Sequence, residues 1–178
     1  MSPRLSPMAY EGEVSTSRPR RKSDYFAHPT TSIWPSRWPE AGRQVAVMNA
    51  RGEVAASTGA ESSAWAGDRQ ARFVTAQGNI LAGPGVVDSM IAAFQRTPGH
   101  LSHRLIAALQ AGDAAGGDIR GRQSAAMLIV KKDCGVWLNN DVVLRLQVDN
   151  ETDPIKDLAE NVAWWWTYQR RSRPGCPS

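Results

Sequence analysis

The sequence is poor in cysteine and has no long apolar run. Its 178 residues contain 2 cysteines, too few for a disulfide scaffold or a complete structural zinc site. Its apolar stretches fall short of the roughly 18 residues that a membrane-spanning helix needs, and its first ten residues lack the apolar core of a secretory signal. We therefore expect a cytoplasmic protein without membrane contact, and we predict no metal site and no cofactor.

Composition is typical of a globular protein, with 42% hydrophobic and 21% charged residues. The length fits one domain of about 130 residues with a tail. A formal net charge of +4 and a pI near 9.4 permit contact with nucleic acid but do not require it.

Proline is concentrated near the start of the sequence. Six of the 11 prolines lie within the first 39 residues, where no helix or strand period is present, and this composition disfavours packed elements. We predict a disordered tail over residues 1–42, a folded domain over 43–170 and a short tail over 171–178. The basic cluster from Arg18 to Lys22 could contact phosphate groups.

Apolar periodicity within the domain predicts grouped strands and grouped helices, which is an α+β fold. A polar loop is predicted before the strand that starts at Arg72. The predicted strands are Gln44–Met48, Glu53–Thr58, Arg72–Asn79, Ser124–Lys132 and Val142–Val148. The segment Asn49–Gly52 suits a hairpin turn between the first two strands, and we expect the last two to pair antiparallel across Asp133–Asn140. Alternation in Val142–Val148 predicts one buried face and one partly wet face. The predicted helices start at Pro84, Leu101 and Pro154, the last with Asp153 as its N-cap.

Two polar segments are candidate ligand-binding sites. The first, Gln77-Gly78-Asn79, offers side-chain amides where a strand ends, although it could equally stabilise a turn. The second runs from Gly116 to Ser124, where arginine forks could bind a carboxylate. In the second segment an aspartate could instead pair with an arginine and fasten the loop. The candidate substrate-binding residues are Gln77, Asn79, Asp118, Arg120, Arg122 and Gln123.

Two further groups suggest other roles. His100 and His103 have the spacing of two metal ligands, but no third ligand is in place, and we predict a wet helix surface there. The run Trp164–Trp166 points in three directions around a helix. At least one of these rings must find a partner surface or remain exposed, and we therefore expect a homo-oligomer.

The two polar segments, together with Leu144–Asp149 and Asp153-Pro154-Ile155, resemble a bacterial family catalogued as domain of unknown function 1028. The resemblance covers about residues 43–168. It implies membership of the N-terminal-nucleophile hydrolase superfamily and a four-layer αββα sandwich. Here we expect a partial sandwich, because the proline-rich tail stands where the family has a long stretch rich in Gly, Ala and Val.

The superfamily resemblance implies amide hydrolysis by the first residue of the mature chain, whose α-amine serves as the base. Removal of Met1 would expose Ser2 as the nucleophile, but Ser2-Pro3 cannot continue a central strand. We therefore expect a truncated or frame-altered member that is inactive, with a small amide or carboxylate-bearing compound as the ancestral substrate. The alternative is a non-enzymatic module that self-associates or touches nucleic acid through its basic tail.

Overall fold

A computed structural model describes residues 40–135 and 140–169, and within them the predicted α+β class is confirmed. Of the tail predicted over residues 1–42, residues 1–39 lie outside the described residues, as does the tail predicted over residues 171–178. A 3-10 turn at Glu40–Gly42 precedes six strands and three α-helices in the described part. The strands are β1 (Gln44–Met48), β2 (Val54–Thr58), β3 (Trp65–Ala71), β4 (Val74–Leu81), β5 (Ala125–Val130) and β6 (Val142–Val148), and the helices are α1 (Pro84–Arg96), α2 (Leu101–Ala114) and α3 (Pro154–Gln169).

The strands form three antiparallel pairs, β1–β2, β3–β4 and β5–β6. The first and third pairs are predicted from the sequence and confirmed. At the β1–β2 turn, the side-chain oxygen of Asn49 accepts hydrogen bonds from the backbone N–H groups of Arg51 and Glu53. Gly52 has a φ of 75°, a conformation that glycine adopts without steric cost.

The prediction of a polar loop before Arg72 is wrong, because Trp65–Ala71 forms β3. Four consecutive residues of this strand, 67–70, are glycine or polar, so the local sequence disfavours a strand. Contacts from other elements compensate: Thr58 of β2 donates a hydrogen bond to Asp68, and Arg69 pairs with Asp88 of α1. Tertiary contacts thus override local propensity.

The β3–β4 pair is sandwiched between helices and a second pair of strands. Opposed residues Ala71 and Val74 pack in one cluster with Phe94 of α1. Because successive side chains of a strand point to opposite faces, Asp68 lies on the other face of β3, where it accepts a hydrogen bond from Thr58 of the β1–β2 pair. The order of layers in this region is therefore helix, sheet, sheet.

The β5–β6 pair is covered on one face by α2 and α3. Their buried residues form one core cluster of Ile106, Met127, Ile129, Leu144, Val148, Leu158 and Val162. On the opposite face Leu128 is 60% exposed and Val130 is 61% exposed. On β6, Leu144 and Val148 are buried whereas Arg145 and Gln147 are exposed, which confirms the predicted contrast between the two faces of this strand.

Two helix starts carry specific caps. Asp153 accepts a hydrogen bond from the Lys156 N–H at 3.4 Å, which confirms the predicted N-cap of α3. At the start of α2, His100 Nδ1 accepts from the Ser102 N–H at 3.2 Å, and the imidazole packs edge-on against Trp166 with a centroid distance of 4.4 Å. The predicted wet surface is therefore wrong at His100, whereas His103 is exposed.

Candidate ligand-binding site

The end of β4 anchors the loop between α2 and β5. Ile80 has a φ of 56°, which is an outlier for a β-branched residue, and the β3–β4 register is irregular beside it. The Ile80 carbonyl accepts a hydrogen bond from the Ile119 N–H at 2.9 Å, and the Ala82 N–H donates to the Gly117 carbonyl at 3.0 Å. The strained end of the strand thus positions the loop that carries the candidate arginines.

A cleft of about 470 Å³ lies between this loop and the helices. That volume lies within the range of small-molecule sites in proteins. Its apolar floor is formed by Val86, Met90, Leu109, Pro154 and Ile155. Its rim is formed by Gly112, Asp113, Gly117, Asp118, Arg120, Gly121, Arg122, Gln123 and Ser124. Four of the six predicted binding residues therefore line one cleft.

One side of the rim is an ion pair that we call the closed pair, Asp118–Arg120. Asp118 Oδ1 accepts from Arg120 Nε at 3.0 Å, and Oδ2 accepts from Nη2 at 2.6 Å. The Arg120 backbone N–H adds a third bond to Oδ1 at 2.8 Å. These hydrogen bonds from Arg120 lower the pKa of Asp118 to about 2. Both carboxylate oxygens are engaged, as expected of a pair that fastens the loop.

The other side is an ion pair that we call the open pair, Asp113–Arg122. Arg122 Nη1 donates to Asp113 Oδ2 at 2.7 Å and lies 3.6 Å from Asp153 Oδ1. Within residues 40–135 and 140–169, Arg122 Nε, Arg122 Nη2 and Asp113 Oδ1 have no hydrogen-bond partner. The open pair therefore keeps an unused acceptor beside unused guanidinium donors.

Gln123 and Ser124 complete the rim where the loop enters β5. The Gln123 carbonyl accepts from the Glu151 N–H at 3.0 Å, and its side-chain amide lies 3.4 Å from Asn150 Oδ1. Ser124 is exposed, and in the described part of the chain no basic group lies within hydrogen-bond distance of its hydroxyl. Gln123 thus ties the loop to the segment before α3, and Ser124 has no partner in the described residues that could activate it.

The other two predicted residues, Gln77 and Asn79, lie on β4 and do not line the cleft. Gln77 is exposed and opposes Asp68 across the strand pair. The Asn79 amide donates to Gln44 Oε1 at 3.2 Å, while Gln44 Nε2 donates to the Gly78 carbonyl at 2.9 Å. These amides join β1 to β4.

Asp113 also lines the cleft but is not among the residues predicted from the sequence. It lies in the last turn of α2, where the helix dipole disfavours a carboxylate unless a cation is near. That unfavourable placement, nine residues before Arg122, is the signal that could have identified the pair. No cluster of three metal-ligating side chains occurs in the described ranges. Ser2 lies outside these ranges.

Comparison with known proteins identifies the family. The family of unknown function DUF1028 matches residues 31–158, so the chain belongs to this family, and the predicted resemblance is confirmed. The crystal structure of protein SPO2555 from Silicibacter pomeroyi, also a DUF1028 protein, has 31% sequence identity and a TM-score of 0.60 to this chain. The match covers 69% of this chain and 50% of that protein, so the chain spans half the length of this relative. No curated protein matches the chain.

None of the helices in the described residues is both long and apolar enough to cross a bilayer.

Proposed function

We propose that the cleft binds a small carboxylate-bearing amide and that the open pair is its recognition group. The observation that carries this proposal is the monodentate contact of Arg122, which leaves Nε and Nη2 unused at the rim of a 470 Å³ cleft. An arginine fork binds a carboxylate through two parallel hydrogen bonds. The apolar floor beneath it would hold the rest of the ligand away from water.

The scaffold in this proposal is a partial αββα sandwich of the N-terminal-nucleophile type. The helix, sheet, sheet order around β3–β4 supports it. The uncovered face of β5–β6, where Leu128 is 60% exposed, is where a second sheet would continue in a complete sandwich. The 31% identity to a longer DUF1028 structure is consistent with the same scaffold.

We further propose that this chain binds the amide without hydrolysing it. Nucleophilic catalysis requires a hydroxyl or thiol beside a base. In the described part of the chain, a serine hydroxyl contacts a histidine at Ser102–His100, where Ser102 Oγ lies 2.9 Å from His100 Nδ1. Ser102 is fully buried and lies outside the cleft, so it cannot reach a bound substrate.

Calorimetric titration with a panel of dipeptides and N-acyl amino acids tests the binding proposal. We expect saturable binding that weakens about tenfold in Arg122→Gln, because a charge-assisted hydrogen-bond pair is lost. The matched control is Arg69→Gln, which breaks the exposed pair with Asp88 on another surface. Equal affinities in wild type and Arg122→Gln would contradict the proposal.

The same panel tests the absence of catalysis. Incubation of each amide with the purified chain should give no product above the uncatalysed rate. A burst of product that disappears in Ser2→Ala would show that the chain is an active N-terminal-nucleophile hydrolase.

The alternative function is self-association, and exposed apolar groups favour it. Leu128 and Val130 protrude from β5, and Trp164 and Tyr168 stack at 4.9 Å on α3 while each is more than 60% exposed. Sedimentation equilibrium of wild type and Trp164→Ser tests this alternative. A dimer weakened by the substitution would support it, whereas a monomer at all concentrations would contradict it. The basic residues proposed to touch nucleic acid lie outside the described ranges.

A further inference from the structure

The charges around the open pair are not complementary to a ligand that carries only a negative charge. Arg122 faces two carboxylates, because Asp113 contacts its Nη1 at 2.7 Å and Asp153 lies 3.6 Å from the same nitrogen. Two acids around one guanidinium leave the group with an excess of negative charge. A ligand that brought only a carboxylate would gain hydrogen bonds from Arg122 but would be repelled by both aspartates.

The unused atoms of the open pair form a donor side and an acceptor side. Arg122 Nε and Nη2 are donors without a partner in the described residues, and Asp113 Oδ1 is an acceptor without one. The two side chains are 42% and 28% exposed, so a ligand in the cleft can reach them. By contrast, both carboxylate oxygens of Asp118 are already bonded to Arg120.

From this arrangement we infer that the ligand is a zwitterion that carries an ammonium group as well as its carboxylate. The carboxylate binds Arg122 Nε and Nη2, and the ammonium group donates to Asp113 Oδ1. An apolar side chain lies on the floor formed by Val86, Met90 and Leu109. A dipeptide with free ends and apolar side chains has this chemistry. This inference rests on the proposed function of the cleft and narrows its ligand class.

The test is a calorimetric titration of four forms of leucyl-leucine: free at both ends, N-acetylated, C-amidated and capped at both ends. We expect the free dipeptide to bind at least about tenfold more tightly than either singly capped form, because each cap removes one charge-assisted contact. In Asp113→Asn the advantage of the free amine should disappear. In the control Arg69→Gln it should remain.

The outcomes separate this inference from the proposed function. If the N-acetylated dipeptide bound as tightly as the free one and Arg122→Gln weakened both, the ligand would be a simple carboxylate. The inference would then be wrong and the proposed function would stand. If no form bound to wild type, both would be wrong. If Asp113→Asn lost the binding of every form, its melting curve would distinguish unfolding from loss of the site. If the variant is folded but binds none of the four forms, the inference is wrong. If the variant is unfolded, Asp113→Glu is measured in its place, and this variant must retain the preference for the free amine.

Discussion

On the floor of the cleft Val86 is 3% exposed, whereas at the rim Arg122 is 42% exposed. The floor depends on close contact between α1 and α2. A Cβ added to Gly112 of α2 would lie 2.7 Å from the Met90 Cγ of α1, so the glycine lets the helices approach. The rim depends on ion pairs in contact with solvent, and such pairs contribute little to folding.

This difference in burial implies that the floor of the cleft contributes mainly to stability and that its rim contributes mainly to ligand recognition. Burial of apolar side chains supplies most of the free energy of folding, so substitutions beneath the cleft should lower stability. Rim residues can change with little loss of stability, so substitutions there should alter binding or a pKa. Four substitutions and one change of pH test this separation, and we expect the size of their effects to decrease in the order given.

Leu158→Ala should have the largest effect. Leu158 of α3 is fully buried against the β5–β6 pair, and its truncation leaves a cavity. We expect the free energy of unfolding to fall by about 2–5 kcal/mol, measured by urea denaturation. A loss below about 1 kcal/mol would show that the core against the β5–β6 pair is loosely packed, and the separation would fail.

Acidification should have an intermediate effect through His100. His100 Nδ1 accepts from the Ser102 backbone N–H, so the Ser102 hydroxyl donates to the same nitrogen while its oxygen accepts from the Trp166 indole N–H at 2.9 Å. Burial is the main cause that lowers the pKa of His100 below 6.5, with smaller contributions from His103 and Lys131. This cap is therefore complete above pH 6.5 and is lost as the pH falls through the lowered pKa of the folded state.

Urea denaturation from pH 7.5 to pH 5 measures this effect, with an expected loss of about 1 kcal/mol for the cap. His100→Asn keeps a capping side chain that does not titrate, so its stability should vary less with pH. Arg69→Gln is the control, because its ion pair with Asp88 joins β3 to α1 and involves neither His100 nor Trp166, and it should behave like wild type. If all three proteins had the same pH profile, His100 would not be the titrating group.

Arg120→Gln should act on a pKa more than on folding. The side-chain hydrogen bonds from Arg120 are the main cause that lowers the pKa of Asp118 to about 2, so their loss should raise it toward 3.8, although the backbone N–H of residue 120 still donates to the carboxylate. A carbon-13 NMR titration of the Asp118 carboxyl measures the change. In wild type the Asp118 carboxylate stays charged until the pH approaches 2, whereas in the variant it should become protonated at a higher pH. An unchanged pKa would show that the two groups do not interact in solution.

Leu128→Ala should have the smallest effect and is the matched partner of Leu158→Ala. Leu128 is 60% exposed on the outer face of β5, so little buried area is lost. We expect the free energy of unfolding to change by less than about 0.5 kcal/mol. A larger loss would show that this face is covered in solution, as a self-associated form would require.

The features of the fold that can be predicted from the sequence are those determined by residues close together in the chain. The turn at Asn49–Gly52, the cap at Asp153 and the alternation in β6 follow from local rules. β3 was not predictable, because its polar residues find partners on β2 and α1. In the cleft, Arg122 was predictable from its loop, whereas Asp113 was not, because their contact depends on how the end of α2 meets that loop.

The most direct test of the central claim is an NMR titration of the arginine Nε–H signals with free leucyl-leucine. We predict a saturable shift of the Arg122 signal, while the signals of Arg120 and Arg69 stay close to their starting positions. Saturable binding with no change at Arg122, or with the largest shift at Arg120, would contradict it.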